Sequence, residues 1–210
     1  MVQCPAVVDN TPRQRLLDAS IDYVATNGLS DVSLRTLAAA LGTSHRMLIF
    51  HFGSKEGLWV EIIRTVEERQ RRLLGEILPD PDQPVREAMR AWWKHISDPA
   101  LWPNERLFFE IYGQALQSRP HTVELLDGIV EDWLGPATEI NLALGIPRDL
   151  ARAHARVGVA VTRGLLLDLL ATRDVAGVDA AMDAFIDVYV TWLEHQARGD
   201  SHGGTSESSA

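Results

Sequence analysis

Cysteine is all but missing from this chain. Cys4 stands alone, so no internal disulfide can form and nothing asks for an oxidising compartment. Long apolar runs are missing too. The most apolar stretch, VGVAVTRGLLLDLLA, is interrupted by Arg163 and Asp168, so it fails as a membrane span and reads as a buried helix. The opening MVQCPAVVDN has neither the basic start nor the continuous apolar core of a secretion signal. A soluble cytoplasmic protein with no membrane partner is expected. Strand signals are nearly absent, with no sustained alternation and no Asn-Gly or Asp-Gly between β-branched runs. The sequence also lacks a His-Glu-x-x-His, paired Glu-x-x-His motifs, a P-loop and a dinucleotide glycine pattern. No cofactor, no metal site and no enzymatic activity are expected.

What is present is helical periodicity. Thr11 is a predicted N-cap, followed by Pro12 at the first helical position and Gln14 where a capping box places Glu or Gln. Leu17, Ile21 and Val24 form the apolar stripe of this first helix, and Asn27-Gly28 ends it. Ser33 caps a short second helix with Val32 and Leu37 spaced as a hydrophobic staple, and Gly42 stops it. A third begins at Thr43 or Ser44 and runs to about His51, and a longer fourth follows Gly53-Ser54. Later helices are predicted at 85–97, 104–117, 121–133, 137–144, 148–172 and 178–198, with Gly135-Pro136 expected to break or kink the middle of this region. The Gly/Ser-rich end, 199–210, reads as a disordered tail. Charge is uneven as well: Met1 to Gly75 carries nine Lys/Arg against eight Asp/Glu, whereas the remainder carries eleven against twenty-one. The acidic total, −9, therefore does not exclude a polyanionic partner for the first part.

Two short helices joined by a tight turn, with Ala38 small at the crossing and Gly42 in the turn, are the pattern of a helix-turn-helix. A tight αα-corner inside an ordinary helical domain is the alternative. Leu37, Leu41 and Leu48 supply the shared apolar contact, leaving Thr43, Ser44, His45, Arg46 and Phe50 to the outside. Such a helix fits a DNA major groove, where Arg bonds guanine and small or hydroxylated residues meet thymine methyls or phosphates. Arg35 and Thr36 in the first turn of the second helix, and Lys55 in that of the fourth, suit flanking phosphates, and Arg13 and Arg15, near the N-terminus, are candidates for the backbone or an adjacent minor groove.

The segment SLRTLAAALGTSHRMLIFHFGSKEGL resembles the N-terminal DNA-binding region of TetR-family transcriptional regulators, most specifically at Phe52, Gly53, Ser54, Lys55, Glu56 and Leu58. The resemblance implies an all-α homodimer in which the first three helices bind a half-site of double-stranded operator DNA. It also implies a variable C-terminal helical domain that binds a small effector. It carries DNA contacts onto Ser44, His45, Arg46, Lys55 and Arg35. The family often has Tyr where this chain has Ile49, which removes one phosphate contact, with Phe50 and His51 as the neighbours that compensate. The expected organisation is a DNA-binding domain over 10–53, with the helix-turn-helix at 33–52, then an effector-binding and dimerisation domain over 54–198.

In that later part, Trp92, Trp93, Trp102, Phe108, Phe109, Tyr112 and Trp133 are candidates for an apolar pocket, with Arg163 or His154 as polar contacts for a hydrophobic or aromatic effector. For any single aromatic at helical spacing, ordinary core packing is the stronger explanation. On the last two helices, Val157, Val161, Leu165 and Leu169, with Phe185, Ile186, Tyr189 and Leu193, give apolar surface broader than one stripe. Internal packing accounts for it, or, as the resemblance favours, a four-helix dimer face. The expected function is a sequence-specific DNA-binding regulator, a repressor released by a small molecule. The competing reading is a helical binding protein or enzyme that does not touch DNA.

Overall fold

The computed structural model describes residues 11–27, 32–77 and 84–200, and no strand occurs among them. Among the described residues nine α-helices follow one another: α1 (Pro12–Asn27), α2 (Leu34–Ala40), α3 (His45–Phe52), α4 (Lys55–Ile77), α5 (Val85–Ile96), α6 (Trp102–Leu116), α7 (Glu131–Ala143), α8 (Arg148–Thr172) and α9 (Val175–Asp200). They form two compact units, 1–67 with 100–127, and 68–99 with 128–210. Gly28, Cys4 and the end of the expected tail, 201–210, lie outside the described residues.

In the first unit the caps come where the sequence places them. The Thr11 hydroxyl accepts the Gln14 N–H at 3.2 Å, and Leu17, Ile21 and Val24 are buried. Helices of seven and eight residues are too short to persist alone. Here α2, α3 and the α4 that follows each begin on a serine cap. Ser33 accepts the Thr36 N–H at 3.1 Å, Ser44 the Met47 N–H at 3.2 Å and Ser54 the Gly57 N–H at 2.9 Å. Each such cap contributes about 1 kcal/mol. Beneath them Leu37, Ala38, Leu48 and Phe52 are buried, as are Leu58 and Ile62 of α4. Helix α6, through Leu107 and Ile111, completes this core by packing on α1.

In the second unit α7 packs on α8, and α9 packs on both α5 and α8. The α5–α9 contact is a polar ladder. Arg86 pairs with Asp187, Arg90 Nε meets Asp183 at 2.7 Å, and the Trp93 indole N–H donates to Asp179 at 2.8 Å. Positions 86, 90 and 93 rise along one face of α5 while 187, 183 and 179 descend along α9, so the two helices run antiparallel.

Three expectations need correction. Residues 121–133 are not a helix: His121 (φ 65°) and Gly128 (φ 77°) adopt left-handed backbone, only a 3₁₀ turn forms at Val123–Leu126, and α7 starts at Glu131. Secondly, α7 runs through Gly135-Pro136 without ending. Pro136 there lacks one N–H, a loss offset by burial of Trp133, Leu134 and Asn141 on either side of it. Thirdly, α9 begins at Val175, not 178, because Asp174 caps it by accepting the Gly177 N–H at 3.0 Å, and it continues through Asp200.

Candidate functional site

The turn between α2 and α3 is closed by backbone bonds. Leu41 N–H reaches Leu37 O at 2.9 Å and Thr43 N–H reaches Ala38 O at 2.9 Å, with Gly42 at φ +65° between them. Helix α3 then presents two unlike sides. Leu48 and Phe52 are buried, whereas His45, Arg46, Met47 and Phe50 are exposed, Phe50 at 76%. Neither Arg35 nor Arg46 has an acidic partner among the described residues. Lys55, at the start of α4, holds its ammonium 5.9 Å from the Trp59 ring centre. An exposed helix with an unpaired guanidinium, flanked by further cations, is suited to a groove edged by phosphates.

Several predicted contacts stand differently from expectation. Arg13 pairs with Glu61 at 2.9 Å and lies 5.2 Å from the Phe52 ring centre, so it ties α1 to α3 and α4. The Ser44 hydroxyl, though exposed, is the cap of α3, and the Thr36 hydroxyl bonds that of Ser33 at 2.9 Å. His51 Nε2 is buried with no hydrogen-bond partner, so in this arrangement it offers no donor to a phosphate. Thr43 is half-buried in the turn.

One residue the sequence reading passed over is Gly57. A side chain there would overlap the backbone oxygen of Phe52, so the start of α4 approaches the end of α3 only because residue 57 has none. The small residue within SKEGL was the available signal.

The aromatic candidates are divided between the two units. Trp102, Phe108, Phe109 and Tyr112 belong to the first unit, and Trp92, Trp93, Trp133 and Arg163 to the second. Trp93 is committed to Asp179, and Arg163 donates to Ile129 O at 2.6 Å. Trp92 and Trp133 lie 6.0 Å apart, with the Arg71 guanidinium 5.8 Å from Trp133. Phe108 alone of these eight lines a cleft of about 220 Å³ including its mouth, with Ile62, Ile63, Val66, Glu67, Asn104, Glu105 and Leu107. It has room for about one water molecule. Asn104 Oδ1 is buried there and accepts no hydrogen bond from the protein. No group of three or more His, Cys, Asp or Glu suited to a metal occurs among the described residues.

The residues expected at the association face differ in their burial within the single chain. Leu169 and Ile186 are 1% and 0% exposed within the single chain, so they pack inside it. Tyr189 is half-buried and turns its hydroxyl inward to Asn141. Val161, Leu165, Phe185 and Leu193 are also half-buried, while Val157 remains open. The exposed stripe of α8 is Leu150, Ala153, Val157, Ala160, Gly164, Leu167 and Ala171, at alternating spacings of three and four. On α9 it is Gly177, Ala181, Ala184, Val188, Thr191 and His195. Both stripes are mostly small and apolar and share the alternating three-and-four spacing that coiled-coil seams use.

Residues 16–62 match the family model of the bacterial regulatory proteins, tetR family. A curated relative, the HTH-type transcriptional repressor NicS of Pseudomonas putida, is 22% identical over 156 residues, covering 70% of this chain and 72% of its own. Among solved structures, a transcriptional regulator from Rhodococcus superposes with TM-score 0.67 at 21% identity, covering 85% of this chain and 95% of its own. The multidrug binding protein EbrR, complexed with proflavin, gives 0.59 at 24% identity, covering 86% and 98%.

Proposed function

We propose that this chain, a member of the tetR family of bacterial regulatory proteins, is a transcriptional repressor that leaves its operator when a small apolar or aromatic molecule binds. Regulators of this family bind operator DNA, dimerise and respond to small-molecule effectors, and they are not enzymes. The observation that carries the reading is the two-sided α3, anchored by Leu48 and Phe52 and exposing Arg46 next to Phe50. Residues 10–53 form the operator-reading part, in which Arg46 reads a base edge while Arg35, Thr36, Thr43, Ser44, His45 and Lys55 position the helix against the backbone. Residues 54–198 supply effector binding and the dimer. The exposed seams of α8 and α9 meet their symmetry mates as a four-helix bundle. Two α3 helices then enter successive major grooves about 34–36 Å apart on a pseudo-palindromic site.

The cleft beside Phe108 is where this reading puts the effector's polar end: Asn104 Oδ1 suits one donor group, and a larger apolar body requires the lining to open, since the cleft has room for about one water. The aromatic ligand of EbrR supports that class of effector. Release requires the effector to bind the non-operator state more tightly. No described helix is long and apolar enough to cross a membrane, and a DNA partner supports a cytoplasmic protein.

The test is fluorescence anisotropy with DNA from upstream of the protein's own gene, over a salt series, with a scrambled duplex as control. Selective binding with a steep salt slope is the expected result. Equal, weak binding to both, repeated with duplexes selected from a random pool, overturns the regulator reading in favour of a helical ligand-binding protein.

A further inference from the structure

The buried side of α3 is fixed by Leu48 and Phe52. At about 100° per residue, position 50 falls half a turn from the midpoint of those two, with Arg46 and Met47 on its flanks. The centre of the outward face is therefore Phe50. It is the most exposed large apolar side chain among the described residues, at 76%, and Met47 beside it is 40% exposed. A lone exposed Phe is unremarkable on most surfaces. This one is placed: its ring stands edge-on to His51, centroids 5.1 Å apart at 75°, next to a guanidinium without an acidic partner. The same helix is poor in groups for phosphates, since Ile49 has no hydroxyl and His51 Nε2 is sealed.

Resting on the reading that α3 enters the major groove, we propose that Phe50 is a specificity-determining residue that selects thymine by its 5-methyl group, with Met47 as the second apolar wall and His51 as a positioning residue for the ring. The thymine methyl is the one apolar feature of the major-groove edge, and Phe is among the side chains that meet it. Arg46 lies one helical turn from Phe50, roughly 6 Å along the axis. Each half-site therefore carries a guanine and a methyl-read thymine within about two base-pair steps.

The experiment uses the full chain and a duplex selected by it from a random-sequence pool, in which thymines are replaced one at a time by deoxyuridine. That change deletes only the methyl. At one or two positions per half-site deoxyuridine weakens binding by about fourfold each, equivalent to the ~0.8 kcal/mol of one buried methyl group. Phe50→Ala abolishes the difference between thymine and uracil at those positions, and Phe50→Leu retains part of it. Residue 50 is exposed, so neither variant disturbs the core, and circular dichroism confirms that both are folded. Selective binding that is indifferent to deoxyuridine overturns the proposal while leaving the regulator reading intact. A thymine preference that persists in Phe50→Ala assigns the methyl to another side chain and also overturns it. Failure to select any sequence removes the regulator reading itself, and this inference with it.

Discussion

Tyr189 on α9 donates its hydroxyl proton to Asn141 Oδ1 on α7 at 2.9 Å, and Asn141 in turn donates to Ala151 O on α8 at 3.0 Å. Three helices of the second unit are joined through one amide. Burial pushes the Tyr189 phenol up from 10.0 to about 12. The folded state therefore keeps a proton that the unfolded chain gives up above pH 10. The stability from the neutral phenol is complete below pH 10 and is lost as pH rises toward 12. Tyr189→Phe leaves Asn141 Oδ1 without its donor and lowers stability at pH 8 by about 1–3 kcal/mol. Urea titrations at pH 8 and at rising pH check this: the gap between wild type and variant narrows between pH 10 and 12. A constant gap refutes it.

Lys55→Ala weakens operator binding about equally for all sequences and reduces the slope of log K against log salt by about 1, whereas Arg46→Ala costs about 1–3 kcal/mol of discrimination at one base pair. Salt-series anisotropy with operator and single-mismatch duplexes separates the two. A Lys55→Ala effect confined to one base pair would count against its phosphate role.

Gly57→Ala forces a methyl against the Phe52 carbonyl, where neither helix end is free to yield. A loss of about 1–3 kcal/mol is expected, as for other overpacked sites. Operator affinity should fall further than stability accounts for, because the α3–α4 joint sets the pitch of the reading helix. Thermal melts and anisotropy on the same samples decide it.

Leu167 is 51% exposed on α8, so Leu167→Asp leaves the fold of the single chain intact while placing a carboxylate in the proposed seam. Sedimentation should give a monomer with unchanged helical content and no tight operator binding. A stable dimer of the variant would relocate the association face.

Asn104→Leu removes a buried acceptor that has no protein donor, so the free protein is unchanged or slightly more stable. The same change should abolish release from DNA by any effector that donates a hydrogen bond in the cleft. Retained release by such an effector would place its site elsewhere.

The sequence displayed what depends on neighbours within one turn. Thr11, Ser33 and Ser44 announced their helices because capping is a local exchange of one hydroxyl for one N–H, and α8 starts and stops where its pattern does. The rotation of α8 about its own axis was not legible. That helix is apolar on more than one side, so packing against α7 and α9 decided that Leu169 goes in while Leu167 faces out. Residues 121–133 failed for a related reason: Val123, Leu126 and Val130 have helical spacing, but the positive φ of His121 belongs to a turn that no local pattern declared. The aromatic candidates divide between the two units, because aromatics serve core packing as readily as a pocket. The cleft beside Phe108 is lined in part by Glu67, Asn104 and Glu105, polar residues that no apolar pattern singles out.

The core beneath α1 is completed by α6, whose last residue, Leu116, comes 49 residues after Glu67 (116 − 67). At a synthesis rate of about 5–20 residues per second, that stretch takes roughly 2–10 s. During that interval the nascent α1 carries an apolar flank that α6 has yet to cover. The order of the helices thus delays the finished reading head until more than half of the polypeptide has been made.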